Sequence, residues 1–376
     1  MKSKTIQHTW FVIILGLLMF ANCAVPVGKT ENAIPADNLS PQEFDEAFPL
    51  SVHGDYSVGI RRNITYTDPA RGGREVNLTI WYPATIPEGE TTLEHKDAPP
   101  DLSRAPYPVI LSSSKVGFNF ANALVSHGFV YVGVNRIDTY EILDNNLVDQ
   151  PLDILFAIKM VTENTPEWLA GVPNMEMVGA LGYSFDGYNS LAMSGARVDP
   201  QAYLAHCAEI ESMRQSEASW YWDYLCSLSQ NWTEFETHAG KEITDSQDGL
   251  WQAMTDAHIK AVMPMSPDGA WLFNERGLVE VEMPILITAA ENEEFYSTDE
   301  VRYLYDNLGS ADKYLITFLG RTHMMIYEEY SVSQLTHFAN AFFGYYLQGK
   351  TDYARYFSED FISQYSDLAW EGTQDN

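Results

Sequence analysis

Basic residues are scarce in this chain of 376 residues, where 22 lysines and arginines face 52 aspartates and glutamates and give a net charge of -30. A surface with this balance repels polyphosphates, so the composition argues against a nucleic-acid partner. It indicates a strongly solvated protein that suits salty or extracellular fluid. The apolar fraction of 45% is that of a globular chain, and the length allows one large α/β domain or two smaller ones.

Long apolar runs are absent, with one exception near the start of the chain. Residues 10–21 are apolar throughout and follow two lysines, Lys2 and Lys4. A run of about a dozen residues is too short for a comfortable membrane span, but it suits the core of a signal peptide. We therefore predict a signal peptide over residues 1–22 and export of the remaining chain.

Cysteine occurs only 3 times, which leaves room for one disulfide at most. The first cysteine ends the segment Phe-Ala-Asn-Cys at residues 20–23, which is similar to the lipobox of bacterial lipoproteins except at its phenylalanine and asparagine. This likeness favours a cell-envelope lipoprotein, attached to the membrane through a lipid on Cys23, over a periplasmic or secreted protein. Cys207 and Cys226 then form one even pair. In an oxidising compartment this pair suggests a disulfide, with two buried thiols as the alternative.

Strand and helix patterns alternate over most of the chain, which predicts a mostly parallel sheet with helices on both faces. An antiparallel hairpin opens the series, because two alternating stretches flank the turn-forming residues 68–74. The predicted core covers residues 51–197 and 258–350. We expect a flexible tether at 23–50, where the sequence is polar and contains proline, and an acidic tail at 351–376.

Residues 198–257 interrupt this alternation. They carry helical patterns and many aromatic residues, and they are too many for a simple connection inside a compact domain. We interpret them as a helical cap over the active site, since insertions at the carboxyl edge of such a sheet are well placed to shape pockets. The alternative is a lateral helical insertion whose aromatic residues fill their own core.

The segment Gly-Tyr-Ser-Phe-Asp-Gly at residues 182–187 carries the strongest chemical signal. It lies between a predicted buried strand and a predicted helix, and this context is that of a nucleophile elbow. Such an elbow raises the hydroxyl of Ser184 above the carboxyl edge of the sheet, as in the α/β-hydrolase fold. The helix N-terminus directs its N–H groups toward an oxyanion. Phe185 is therefore one expected donor, and the second is Lys115 or Val116 on the loop after the third strand.

A serine hydroxyl needs a neighbouring base, which a well-placed histidine supplies. Of the 9 histidines, His323 lies where an α/β-hydrolase needs it, on the loop after the last predicted strand. A carboxylate between the serine and the histidine in chain order completes a catalytic triad. Two loops offer one: Glu293 follows the strand that starts at Pro284, and Asp268 follows the strand before it.

Three stretches of the sequence resemble one known group of enzymes. They are Asp-Pro-Ala-Arg at 68–71 with Trp-Tyr-Pro-Ala at 81–84, the elbow at 182–185, and the closing segment 313–323. Together they look like the predicted dienelactone-hydrolase and platelet-activating-factor acetylhydrolase-like group, and the closing strands are similar to cutinase-like polyester hydrolases. The resemblance covers most of residues 55–350 except the insertion, and it implies a serine esterase of the α/β-hydrolase fold that acts on carboxylic esters without a metal or other cofactor.

The two relatives imply different acids, and two positions depart from the pattern of the group. The cutinase-like spacing selects Glu293, which we prefer, whereas the acetylhydrolase-like pattern falls nearer Asp268. Asp186 replaces the small residue, usually glycine, that stands two positions after the serine. We predict that its carboxylate points away from the serine, toward a polar partner or solvent. Residues 114–115, Ser-Lys, replace the usual His-Gly, which changes the expected shape of the oxyanion loop.

These observations lead to the hypothesis of an exported serine hydrolase that cleaves a small-molecule carboxylic ester through an acyl-enzyme on Ser184. The aromatic residues of the insertion favour an apolar or aromatic acyl group. Two alternatives stay open, since a fold does not by itself fix a function. One is a non-catalytic surface module that binds a ligand, and the other is an amidase or peptidase that uses the same triad.

Overall fold

The computed structural model describes residues 33–87, 89, 92–135, 143–213, 220–295 and 298–373. The predicted signal peptide and Cys23 lie outside these ranges. Within them the chain forms a sheet with helices against both of its faces. No helix in this part of the chain is both long enough and apolar enough to cross a bilayer.

Ten strands form the sheet: β1 (Ser57–Asp68), β2 (Arg74–Ala84), β3 (His95–Lys96), β4 (Tyr107–Ser113), β5 (Val130–Val134), β6 (Pro173–Tyr183), β7 (Ile259–Met265), β8 (Ile285–Asn292), β9 (Lys313–Thr322) and β10 (Leu368–Gly372). Their order is β10-β9-β8-β7-β6-β4-β5-β2-β1-β3. Every pair of neighbours in the run β9-β8-β7-β6-β4-β5 is parallel. The pairs β10–β9, β5–β2 and β2–β1 are antiparallel. The predicted α/β class with a mostly parallel sheet is confirmed.

Twelve helices accompany the described strands: α1 (Pro41–Ala47), α2 (Ser114–Ser126), α3 (Asn146–Glu163), α4 (Phe185–Met193), α5 (Pro200–Met213), α6 (Trp220–Leu225), α7 (Trp232–Ala239), α8 (Lys241–Thr244), α9 (Ala270–Leu278), α10 (Thr298–Asn307), α11 (Glu329–Gln348) and α12 (Glu359–Ile362). Strand side chains alternate between two apolar cores. Val109 and Leu111 of β4 join the core on the side of α3 and α4, and Ile110 joins the core on the side of α2 and α11. Burial on both faces explains why the central strands read as continuous apolar runs.

The predicted hairpin is formed by β1 and β2, and its turn is fixed by charged side chains. The Asp68 carboxylate accepts a hydrogen bond from the Ala70 N–H at 3.0 Å and pairs with Arg71 at 2.6 Å. Arg74 donates to both carboxylate oxygens of Asp153 in α3, at 2.8 and 2.9 Å. Arg71 also pairs with Asp153, at 2.7 Å, so the Asp-Pro-Ala-Arg segment ties the hairpin to the helix layer together with Arg74.

The tether predicted over 23–50 is wrong for residues 33–50, which pack on the core. Helix α1 begins with a capping box in which Ser40 and Glu43 satisfy each other's backbone N–H groups. Phe48 is fully buried and meets Phe338 of α11 edge-on. The Ala36 N–H donates to the Asp367 carboxylate at 2.9 Å. A few apolar side chains in a polar stretch are therefore enough to order this segment.

The acidic tail predicted over 351–376 is also wrong within residues 351–373. Strand β10 pairs antiparallel with β9 and becomes an edge of the sheet. Phe357, Ile362 and Leu368 are buried in the core on the side of α11. Acidic residues lie between these apolar positions, so the acidic composition of the stretch did not reveal that its apolar side chains are buried.

The insertion at 198–257 is helical, as predicted, with α5 to α8 inside it. Cys207 and Cys226 are joined by a disulfide, which confirms the first of the two alternatives. Four aromatic rings contact one another with centroids 5.2 to 5.5 Å apart: Tyr203, Trp232, Phe235 and Trp251. These rings belong to the buried core, so they serve packing within the insertion.

Candidate active site

Ser184 is the single residue between strand β6 and helix α4, so the predicted strand–turn–helix is present. Its backbone has φ 61 and ψ -122, a conformation that a non-glycine residue adopts only when its surroundings enforce it. The Ser184 N–H donates to the carbonyl of Met265 in β7 at 2.9 Å. A β-carbon at Gly182 would lie 1.7 Å from the carbonyl oxygen of Asp186, so only glycine permits this tight packing of helix on strand.

His323 follows β9 directly and begins a short 3-10 helix, His323–Tyr327. Its Nε2 atom lies 2.9 Å from Oγ of Ser184. The His323 backbone is held on two sides, because its N–H donates to the Glu294 carboxylate at 2.6 Å and its carbonyl accepts from the Tyr183 hydroxyl. The imidazole is thus presented to the serine by two strands that end at the same edge of the sheet.

Glu293 follows β8 and supplies the third member of the constellation. Its Oε1 atom lies 2.6 Å from Nδ1 of His323, and its side chain is only 1% exposed. The predicted choice of Glu293 as the partner of the histidine is confirmed by this contact. The neighbouring acids have separate partners: Glu291 accepts from the Gly320 N–H at 2.7 Å, and Glu294 accepts from the His323 N–H.

Asp268, the alternative acid, is not the carboxylate that contacts His323. It accepts hydrogen bonds from the Tyr224 hydroxyl and from the Gly269 N–H, both at 2.6 Å. Burial raises the pKa of Asp268 from 3.8 to about 6, although the nearby His323 acts in the opposite direction. Tyr224 belongs to the insertion, and its role here was not foreseen because nothing in the sequence distinguishes it from the packing aromatics.

The raised pKa of Asp268 makes stability depend on pH in a defined direction. Between pH 3.8 and about 6 the folded protein keeps a proton on Asp268 that the unfolded chain has released. The free energy of unfolding therefore falls as the pH rises through this window. Relative to the Asp268→Asn variant, we expect the wild type to lose about 2 kcal/mol between about pH 4.5 and 7.5 in urea unfolding. Parallel pH profiles for the two proteins would contradict this assignment.

The second oxyanion donor was predicted on a loop after the third strand, but no loop exists there. Strand β4 ends at Ser113 and α2 begins at the next residue, with Ser113 as its N-cap. The Val116 N–H donates to Oγ of Ser113 at 3.3 Å, so of the two predicted donors Val116 is already engaged at the cap of α2. Lys115 remains the candidate beside Phe185. Both residues lie in the first turn of a helix, where backbone N–H groups favour an anion.

The carboxylate of Asp186 points away from Ser184, toward polar partners, as predicted. Its Oδ2 accepts from the Ser113 hydroxyl at 2.7 Å, and its Oδ1 accepts from the Asn189 amide at 3.2 Å. Among the described residues, no group of three or more histidine, cysteine or acidic side chains is arranged to hold a metal ion.

No model of a known protein family matches the chain, and no curated protein matches it. The resemblance to dienelactone-hydrolase-like and acetylhydrolase-like enzymes therefore rests on the motifs of the sequence alone. The site itself is the sounder guide to function, because one fold supports many functions.

Proposed function

We propose that this chain is an exported serine hydrolase of the α/β-hydrolase fold that cleaves carboxylic esters through an acyl-enzyme on Ser184. One observation carries the proposal: a continuous line of contacts runs from Ser184 Oγ to His323 Nε2 at 2.9 Å, and from His323 Nδ1 to Glu293 Oε1 at 2.6 Å. Nucleophile, base and orienting acid lie within hydrogen-bond reach of one another, which is the geometry that activates a serine.

The chemistry follows from these contacts. His323 takes the proton from Ser184 Oγ as the oxygen attacks the ester carbonyl carbon, and Glu293 stabilises the charged imidazole. The carbonyl oxygen gains the negative charge and faces the backbone N–H groups of Phe185 and Lys115. As the C–O bond of the ester breaks, His323 gives its proton to the leaving alcohol. Water, activated by the same histidine, then hydrolyses the acyl-enzyme and restores Ser184.

Exposed apolar side chains favour an ester with an apolar part. Three large ones are close in sequence to residues of the site. Phe118 follows Lys115 in α2 and is 63% exposed, and Met324 and Tyr327 follow His323 and are 45% and 72% exposed. Phe295 is 38% exposed and contacts the imidazole ring edge-on, with centroids 4.9 Å apart. An apolar acyl or alcohol group gains by covering such surface. The insertion acts as the cap in this proposal, since its Tyr224 reaches Asp268 beside the site.

A fluorophosphonate probe tests the proposal on the wild-type protein. We expect one probe per chain, located by mass spectrometry on the peptide that contains Ser184, and turnover of p-nitrophenyl esters of graded acyl length. The heat-denatured protein serves as the control, because labelling requires the folded triad. If the protein shows no labelling and no turnover, it is a non-catalytic binding module. Labelling with cleavage of anilides or peptides, but not of esters, would indicate an amidase or peptidase.

A further inference from the structure

Asp186 occupies a position where the nucleophile turn usually carries a small residue, and its carboxylate reaches the neighbouring strand. It is the second residue of α4, directly above the elbow. Its Oδ2 accepts a hydrogen bond from Oγ of Ser113, which ends β4 and caps α2. The carboxylate therefore bridges the N-terminal ends of two helices, the one that starts after the nucleophile and the one that carries Lys115.

The direction of these hydrogen bonds makes the bridge specific. A serine hydroxyl has one proton, and Ser113 donates it to Asp186. Its lone pairs are then turned toward the Val116 N–H, which donates to Oγ at 3.3 Å and so closes the first turn of α2. Asp186 itself is oriented by the Asn189 amide, which also donates to Gln150 at 2.9 Å. The carboxylate of Asp186, in the first turn of α4, thus orients the hydroxyl of Ser113, the N-cap of α2.

The first turn of α2 is already fixed on its far side. A β-carbon at Gly133 of β5 would lie 2.9 Å from the Cα atom of Ser114, so this glycine lets the turn sit directly on the sheet. The Tyr131 hydroxyl donates to the Ser113 carbonyl at 3.3 Å. On the side that faces α4, the contact between Ser113 and Asp186 restrains the turn.

We propose that Asp186 is a positioning residue that acts through Ser113 and sets the separation of the two oxyanion donors, the backbone N–H groups of Phe185 and Lys115. This inference rests on the proposed hydrolase function and extends it. Asp186 compensates for the missing His-Gly loop: in place of a glycine-rich oxyanion loop, the chain uses a helix whose N-terminus is anchored by a carboxylate. The donors bind charge that exists only in the transition state, so their placement affects kcat and leaves KM nearly unchanged.

Variants at both ends of the contact test this positioning role. In Ser113→Ala and Asp186→Gly we expect kcat for a short p-nitrophenyl ester to fall about 10- to 100-fold, because small displacements of oxyanion donors have effects of this size. KM should change less than about twofold. The double variant should be no worse than the poorer single variant, since both changes break the same contact. Asp186→Asn keeps an acceptor for the Ser113 hydroxyl and should recover most of the activity.

Two further readouts separate positioning from general damage. A trifluoromethyl ketone, which forms an oxyanion on the serine, should lose affinity in Ser113→Ala by the same factor as kcat/KM. The pH dependence of kcat should keep its wild-type midpoint, because His323 and Glu293 are untouched. Wild-type kcat in Ser113→Ala, additive losses in the double variant, or a loss confined to KM would overturn the inference. If the wild type neither turns over esters nor accepts the fluorophosphonate, the proposed function fails, and this role fails with it.

Discussion

Replacing Ser184 by alanine is expected to lower kcat/KM for short p-nitrophenyl esters by about 10⁵-fold or more and to abolish fluorophosphonate labelling. Loss of the nucleophile removes the acyl-enzyme route, and only oxyanion binding and substrate orientation then contribute to the rate. The fold should survive, because serine and alanine carry the same β-carbon and the turn at residue 184 already accommodates one at φ 61. Steady-state hydrolysis and labelling, together with thermal unfolding of the same samples, check this result.

Ser212→Ala is a matched control for that experiment. Ser212 is an exposed serine of the insertion whose hydroxyl donates to the carbonyl of Glu209, so its loss changes a serine without touching the site. It should keep wild-type activity and labelling. Ester hydrolysis that persists in Ser184→Ala while Ser212→Ala behaves as expected would show that another group performs the chemistry.

Replacing Glu293 by glutamine is expected to lower kcat about 10³- to 10⁴-fold while KM stays within a few-fold of its wild-type value. The Glu293 carboxylate lies 2.6 Å from Nδ1 of His323, where it favours the tautomer that carries its proton on Nδ1 and leaves Nε2 to take the serine proton. An amide of the same shape can donate to Nδ1 instead, which puts the imidazole proton on Nε2, where it faces Ser184. The histidine is then in the wrong tautomer to act as a base.

Asp268→Asn provides the comparison for Glu293→Gln. Asp268 is a buried carboxylate near the same histidine, but its hydrogen bonds go to Tyr224 and Gly269. We expect its change to lower kcat less than about tenfold, because its carboxylate is bound by Tyr224 and Gly269, whereas Glu293 is the carboxylate at Nδ1 of His323. A large loss in Asp268→Asn together with a small one in Glu293→Gln would transfer the role of the acid to Asp268.

The constellation at the candidate active site could be predicted because chain order and strand ends determine it. In a parallel sheet the residues after successive strands meet at one edge, so Ser184, Glu293 and His323 converge although 139 residues separate the serine from the histidine. The choice between two acids was made on spacing, and the contact at His323 agrees with it. The spacing could not predict that the Tyr224 hydroxyl donates to Asp268, because the two residues are 44 positions apart in the chain.

The two ends of the domain and the oxyanion turn could not be predicted for physical reasons. Phe44 and Phe48 stand in a polar stretch, and their burial comes from ring contacts with α11 and α12, far along the chain. The stretch predicted as a loop after the third strand is instead the start of α2, where Ser113 is the N-cap and accepts from the Val116 N–H. The local sequence pattern predicts only which secondary structure a segment prefers. The burial of the first segment and the position of the helix start depend on contacts between distant elements.

The first and last described segments of the chain hold each other. Ile34 pairs with Tyr365, the Ser366 N–H donates to the carbonyl of Ile34 at 3.0 Å, and Ala36 donates to Asp367 across 331 residues. Folding therefore cannot proceed in strict order from the N-terminus, because the leading segment lacks its docking site until residues 365–367 have emerged. For a protein that we propose is exported, residues 34–36 can therefore dock only after residues 365–367 have been exported as well.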